Sequence, residues 1–385
     1  MRNSFDFYNP VSLHVGKGKI AKVASLIPPF SKVLLTYGGG SIKRNGIYDQ
    51  VKTALKDFEV IEFGGIESNP DYHTLLKAVT ICKTEKIDFI LAVGGGSIID
   101  GSKFIAAAAK FDKDPWTIII KGLPIKEALP LGAIMTMPAT SSEMNNGGVI
   151  SRRDRKEKFP FFSLVLFPQF AILDPTVVYS IPKKQIGNGI VDCFVHVVEQ
   201  YITSTDNYKI TDRFAEGELK NLIDLAPALM GKDIPDYEVC ADYILTATLG
   251  LNGWIGMGAV QDWAAHKIGH ELTALEGLDH AETLAIIYPG VMHVMKEEKQ
   301  EKLLQYAENV WHITKGTDEE KIEKGIHLTE QFFIQVGKKV HLSDYNLGQT
   351  VIDIIVNRFE ARGSVLGENG IVTPKHVRKI LENRL

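Results

Sequence analysis

The residues best suited to chemistry lie in the second half of the chain. In VDCFVHVVEQ, Asp192 and His196 are four apart, which on a helix turns them by only about 40° and sets them side by side. The same spacing recurs at His266 and His270 in QDWAAHKIGHELTALEGLDH, and His280 follows the Gly277 turn. One carboxylate and several imidazoles suit a divalent zinc or iron ion with a position left open for a substrate oxygen. A single histidine is more often a packed or surface residue than a ligand. Three of the chain's 11 histidines close together, beside a separate D-x-x-x-H, reverse that reading. Spacing alone does not exclude His270 from the ligand set. Cys193 lies about 100° around the helix from Asp192, which favours an apolar packing role. Glu199 lies near the Asp192 face, where it either orients a ligand from behind or forms an exposed ion pair.

A second kind of chemistry is written in glycine. In VGGGSIID, Val93 to Asp100, an apolar run leads straight into three glycines and an apolar helix. Glycines let the backbone turn sharply and approach a phosphate, and a helix N-terminus offers unpaired N–H groups, so a pyrophosphate suits this place. Ile99 stands where the dinucleotide fingerprint G-x-G-x-x-G would have its third glycine, so that fingerprint is not met. The plainer alternative is a helix start of S-x-x-D type made by Ser97 and Asp100. YGGGSIKR, Tyr37 to Arg44, repeats the arrangement with Gly38 where an NAD site would carry an acid, and with Ser41, Lys43 and Arg44 beyond it. That composition favours a 2′-phosphate, hence NADP, over a plain glycine turn with solvated basic residues. MPATSSEMNN, Met137 to Asn146, is dense in hydroxyls and amides; it suits either the nicotinamide end of a cofactor or a loop that caps its own backbone.

Elements must hold these groups in place. Strands are expected at 31–37, 59–63, 87–93, 131–137 and 169–174, with helices at 46–57 and 70–85, the latter begun by Asn69 as cap and Pro70 in its first turn. Strands alternating with helices predict a parallel sheet covered by helices. The basic segment 152–158 between the last two strands reads as a solvated hairpin or loop. Beyond about residue 180 the β-branched runs give way to helical patterns, ending in a helix capped by Thr373 with Pro374 in its first turn. The expectation is an α/β dinucleotide-binding domain over 1–180 and an all-helical metal and substrate domain over 181–385, tightly joined, with a cleft between them.

Composition removes other classes. Across 385 residues, 45% hydrophobic and 23% charged with 34 Gly and 16 Pro, the balance is that of a globular chain of two domains. A net charge of −4 leaves no excess of cations for a nucleic acid. Three cysteines, Cys82, Cys193 and Cys240, with no CxxC pairing, argue against disulfides or a thiolate zinc site and fit a reducing cytoplasm. The N-terminus does not read as a signal peptide. The uncharged stretch from Tyr243 to Gln261 is too rich in polar residues and glycine for a membrane span.

Taken together, GGGSIID, ATSSE, D-x-x-x-H and H-x-x-x-H followed by GLDH resemble the iron-containing alcohol dehydrogenase family. More narrowly, TYGGGSIK, EFGGIESNP, VDCFVHVVEQY, the segment from Asn252 to Ile286 and HLSDYNLG are similar to its NADPH-dependent butanol dehydrogenase and broad-range aldehyde reductase branch. The resemblance covers nearly the whole chain. It implies a dehydroquinate synthase-like architecture, a homodimer, a small aldehyde or alcohol as substrate, NADP(H), and one Fe2+ or Zn2+ held by Asp192, His196, His266 and His280. It places His270 as a catalytic group beside nicotinamide and substrate, off the metal. It puts Gly38, Gly39, Gly40 and Ser41 at the adenosine end of the cofactor, and Asn69, Gly95, Gly96, Ser97, Asp100, Thr136, Thr140, Ser142, Asn145 and Lys158 along it. The rival enzyme class is a dehydroquinate synthase-like lyase, which shares the fold and also combines a nicotinamide cofactor with a metal. It requires a basic cluster for a phosphate-bearing substrate, and around His266 to His280 the chain offers only Lys267. A non-enzymatic metal-binding scaffold leaves the two glycine turns without a purpose.

Overall fold

The computed structural model describes residues 4–203 and 205–385. The first half builds strands β1 (Ser12–Val15), β2 (Lys32–Tyr37), β3 (Glu59–Phe63), β4 (Phe89–Gly95), β5 (Leu131–Met137) and, after a hairpin of β6 (Gly147–Arg152) and β7 (Glu157–Phe162), β8 (Phe170–Leu173). Six of these form one sheet in the order β1-β8-β5-β4-β2-β3, every neighbouring pair parallel. The apolar run of β4 is buried throughout its first five residues, as a strand covered on both faces must be. Helices α1 (Ser41–Arg44), α2 (Ile47–Ala54), α3 (Tyr72–Thr84), α4 (Gly96–Ala109) and α5 (Trp116–Ile120) accompany it. Leu75, Phe104, Trp116, Ile150 and Phe161 share a core on one side of the sheet; each large apolar side chain so buried contributes about 1.5–3 kcal/mol.

Two local expectations are corrected, and a third, the solvated hairpin over 152–158, holds except at Lys158. Helix α3 is capped by Asp71, whose carboxylate accepts from His73 N at 3.0 Å, while Asn69 lies in the left-handed region at φ 53°. Asp71 wins because its second oxygen also accepts from Arg153 N at 3.0 Å, tying the helix start to the hairpin. Ser97 and Asp100 do not cap α4: its N-cap is Gly95 without a side-chain bond, and both side chains bond elsewhere. Of the basic segment, residues 153–155 form an exposed turn, but Lys158 is buried.

The second half is helical: α6 (Lys183–Tyr201), α7 (Lys209–Met230), α8 (Tyr237–Leu249), α9 (Ala264–Glu276), α10 (His280–Val294), α11 (Gln300–Asn309), α12 (Asp318–Gln335), α13 (Gln349–Ala361) and α14 (Pro374–Glu382). Thr373 caps α14 as expected, closing a capping box with His376. The chain forms two compact units. One holds Tyr8–Gln185 together with Gly231–Asn252; the other holds Ile186–Met230 and Gly253–Leu385 with an N-terminal stretch ending at Phe7. Helix α8 therefore belongs to the unit that carries the sheet, where it meets the loop after β5: Tyr243 donates to Pro138 O at 2.9 Å and Thr248 to Glu143 at 2.7 Å. Among the described residues no helix is long and apolar enough to cross a membrane.

Candidate metal and cofactor sites

Helix α6 is buried on all sides from Ile186 to Tyr201, so its polar residues must find partners inside the protein. Asp192, His196 and Glu199 recur at i, i+4 and i+7, one stripe of that helix. Facing partners come from α9 and α10, which Gly277 joins in the left-handed conformation at φ 73° and Asp279 restarts with a capping box to Glu282. This tight connection returns His280 to the helix that carries His266 and His270: ring centroids are 5.1 Å apart for His266 and His280, and 5.2 Å for His270 and His280.

Asp192, His196 and His266 each offer a ligand atom within 4.8 Å of the others, all three residues buried. The Asp192 carboxylate lies 3.6 Å from His196 Nδ1 and 3.7 Å from His280 Nε2, and the rings of His196 and His266 stack at 4.6 Å. His270, also buried, stands beside His280 and near His266, its ring centroid 5.2 and 6.4 Å from theirs. Burial pushes the His196 imidazole down to about 4, so it is neutral near pH 7. Its Nδ1 is buried without a hydrogen bond among the described residues. A buried, unbonded imidazole nitrogen beside a carboxylate is costly unless a cation takes its lone pair, so these residues fit a divalent metal ion.

Glu199 completes the arrangement from behind. One oxygen engages Nδ1 of His266, and the backbone amides of Ala265 and His266 donate to the carboxylate at 2.7 and 3.3 Å. Glu199 is thus buried and fixes the ring of His266, a candidate ligand, rather than forming an exposed ion pair. Burial and the neighbouring Asp262 push the Glu199 carboxyl well above its ordinary range, while the amides and Lys299 oppose them. Lys299 is buried too, bonding Asp262 at 2.9 Å, Glu368 at 3.0 Å and Ile202 O at 2.9 Å. Asp262 in turn accepts from Ala264 N at 2.8 Å and pins the start of α9. Between them Trp263 is held in the left-handed region at φ 63°, rare for so bulky a residue, with its indole 5.1 Å from the His266 ring. Nothing in the spacing of the sequence pointed to Asp262, Lys299, Glu368 or Trp263; a lysine and two acids that look like surface residues meet only in the fold.

The two glycine turns, Gly38–Ser41 and Gly95–Ser97, lie at the carboxyl ends of the neighbouring strands β2 and β4, where α/β sheets bind ligands. A Cβ on Gly96 would stand 2.5 Å from Thr140 Cγ2, so only glycine lets the turn after β4 meet the 138–147 loop. Ser97 accepts from Asn69 N at 3.3 Å, and Lys158 donates to Asn69 Oδ1 at 2.8 Å, which brings Asn69, Ser97 and Lys158 together. Asp100 accepts from Ser142 at 2.6 Å, and Ser142 N bonds Thr140 Oγ1 at 3.2 Å. Thr136 sits half-buried near the end of β5. Gly38, Gly39, Gly40 and Ser41 form the turn after β2, with open space around Gly39 and Gly40. Close by, Lys43 lies 4.9 Å from the Tyr37 ring centroid and 4.7 Å from that of Tyr48. The nearby acid Glu62 is already engaged by Tyr37, Tyr48 and Lys52 at 3.1, 2.7 and 3.1 Å.

Residues 10–175 match the family model of iron-containing alcohol dehydrogenase, and residues 187–384 match the C-terminal model of the Fe-containing alcohol dehydrogenase family. The chain belongs to the iron-containing alcohol dehydrogenase family. Within it, the chain is 49% identical over 384 residues to the NADPH-dependent aldehyde reductase YqhD of Escherichia coli, covering 99% of both chains. The crystal structure of that protein superposes with a TM-score of 0.98, covering 100% of this chain and 99% of the other. A probable NADH-dependent butanol dehydrogenase 1 of Bacillus subtilis is 40% identical, covering 99% of this chain and 100% of its own. The structure of NADH-dependent butanol dehydrogenase A from Thermotoga maritima superposes with a TM-score of 0.95 at 34% identity, covering 100% of this chain and 99% of the other. The fold is that of the family: a parallel-sheet unit and a helical unit.

Proposed function

We propose that this protein is an NADPH-dependent reductase of small aldehydes, reversible as an alcohol dehydrogenase, using one divalent iron or zinc ion. The observation that carries the reading is the buried cluster of Asp192, His196 and His266 backed by Glu199, in a chain 49% identical to an NADPH-dependent aldehyde reductase. When bound, the metal ion supplies Lewis acidity toward a carbonyl oxygen and the reduced nicotinamide supplies hydride.

The chain's residues have separable tasks. Asp192, His196, His266 and His280 hold the ion, with burial keeping His196 neutral and Glu199 fixing the ring of His266. His270 supplies the proton to the product's alcohol oxygen, as an imidazole can in general acid catalysis. Gly95, Gly96 and Ser97 take the pyrophosphate at the start of α4; Asn69, Asp100, Thr136, Thr140, Ser142, Asn145 and Lys158 place the rest of the cofactor. Gly38, Gly39, Gly40 and Ser41 take the 2′-phosphate. Relatives named for NADH and for NADPH both occur, so family alone does not choose. Here the choice rests on Gly38 at the position of the missing acid and on Glu62 being committed to three other side chains. The same resemblance carries a cytoplasmic homodimer, testable by light scattering and fractionation.

The deciding experiment follows NADPH oxidation with a panel of aldehydes, using protein stripped of metal and then reloaded with zinc or iron. Activity that vanishes on stripping and returns on reloading is the expected result; full activity in stripped protein overturns the proposal.

A further inference from the structure

We infer that Lys103 is a positioning residue for the cofactor: its buried ammonium fastens the loop after β5 onto helix α4 and so fixes how the Gly94–Ser97 turn and Thr140 stand to one another. The inference rests on the cofactor reading above. Lys103 is the lone cation in the apolar helix IIDGSKFIAAAA, and it has no exposed surface. A primary ammonium has three donors, and a buried one is tolerated only when they are met. Here Lys103 donates to Ser142 Oγ at 3.1 Å, Asn145 Oδ1 at 2.9 Å and Gly147 O at 2.6 Å. The three acceptors span the end of that loop and the first residue of β6, so one side chain fixes the path from Ser142 to Gly147.

The neighbouring charge acts on the same loop. Asp100, one turn earlier on α4, accepts from Ser142 Oγ at 2.6 Å and from Val149 N at 2.9 Å. Ser142 therefore donates to Asp100 and accepts from Lys103, which settles its orientation. Asn145 Oδ1 also accepts from Gly147 N at 3.1 Å, leaving its amide to donate to Thr140 O at 3.4 Å and Leu251 O at 3.3 Å. The side chains of Asp100, Ser142 and Asn145 thus serve the loop's geometry, whatever else they touch. Thr140 is where this geometry reaches the cofactor turn, because Gly96 approaches it so closely that a Cβ would clash. Lys103 acts through these contacts and does not itself reach the reacting atoms.

Burial pushes the Lys103 amine down to about 8, opposed by the carboxylates of Asp100 and Glu143. The charged groups facing this cluster are Asp100 from α4, Glu143 from the loop after β5 and Lys158 from β7, which acts on Asp100. Loss of the proton leaves two donors for three acceptors, so the loop is held less firmly at high pH.

The test titrates NADPH fluorescence against the metal-loaded protein. Losing one charged hydrogen-bond hub predicts a dissociation constant raised about tenfold or more in Lys103→Met, with the aldehyde KM within about twofold of the parent. Ser142→Ala should weaken NADPH in the same direction but less, and Lys103→Arg should recover part of the loss. In the parent protein NADPH affinity should fall as pH passes about 8, and in Lys103→Met that fall should be absent. Unchanged NADPH affinity in folded Lys103→Met overturns the inference; should that variant not fold, unchanged affinity in Ser142→Ala with a flat parent pH profile does so. Gly96→Val separates the two levels. If it still binds NADPH, the cofactor placement fails and this inference with it; if it loses NADPH while folded Lys103→Met binds normally, the inference alone fails.

Discussion

Glu199 holds His266 from two directions, through the ring nitrogen Nδ1 and through the backbone amide at 3.3 Å. Side chain and main chain of one residue answer to a single carboxylate on another helix, so neither the ring nor the start of α9 can turn independently. Replacing Glu199 by Gln keeps the size but exchanges one of the two oxygens that hold the His266 ring and the amides of Ala265 and His266 for an amide nitrogen that cannot accept from them. Metal affinity of Glu199→Gln, measured by competition with a chelator, should fall about 10- to 100-fold. An affinity equal to the parent's means that Glu199 serves packing alone.

Cofactor preference provides a second test, and the structure selects the better variant. A Cβ on Gly38 would stand 3.1 Å from Ile98 Cδ1 and 3.2 Å from the carbonyl oxygen of Ile66, whereas one on Gly39 meets nothing within 4 Å. Gly39→Asp therefore adds a carboxylate with no packing cost. The unmodified protein should have higher kcat/KM with NADPH than with NADH. Gly39→Asp should lower that ratio about tenfold or more by repelling the 2′-phosphate, with an unchanged melting temperature. Gly38→Asp should act in the same direction but also lose stability. Higher kcat/KM with NADH in the parent protein removes the 2′-phosphate assignment.

The sheet was legible because its central strands carry it locally: FILAV in β4 and LGAIM in β5 are buried on both faces and read as continuous apolar runs. β1 was not, because SLHV is a short edge strand only half buried, and its pairing with β8 depends on chain some 160 residues away. The same division runs through the sites. Asp192 with His196 and His266 with His270 are helical neighbours, so four-residue spacing reveals them. The contacts of Glu199 with His266, of Lys299 with Asp262, and of Lys103 with the 142–147 loop cross between elements, and local spacing holds no record of them. A weak trace existed for Lys103: a lysine among Ile, Phe and Ala in a helix is expensive to bury without a purpose. At Asn69 the local rule misled: the cap is Asp71, two residues further on, which the hairpin also engages through Arg153 N, a contact that no local pattern holds.

Glu218, on α7, is half-buried, and its Oε2 has no hydrogen bond among the described residues. Burial alone pushes its carboxyl up to about 8. A folded-state value above the unfolded one means that the folded protein holds a proton the unfolded chain releases, so stability declines as pH rises from the ordinary carboxyl range through about 8. Water reaching this half-buried group moderates the effect, and Glu218→Gln should gain about 1–2 kcal/mol at pH 8. Near pH 4.5 the gain should disappear. Equal denaturation midpoints for the two proteins at pH 8 rule this account out.

The most consequential prediction separates two adjacent imidazoles. His280 Nε2 lies 3.7 Å from the carboxylate that also approaches His196, whereas the ring of His270 packs against His280. If His280 is a metal ligand, His280→Ala removes a donor, and both bound metal and turnover should fall. His270→Ala should retain metal near one equivalent per chain while turnover slows or its pH dependence changes, because the residue handles a proton rather than the ion. Elemental analysis of both purified variants, read beside their rates, distinguishes the roles. Loss of metal in His270→Ala with retention in His280→Ala would exchange the two assignments. The fourth donor to the ion would then come from α9 itself, at the i+4 position after His266, and the Gly277 turn that brings His280 back would need another explanation.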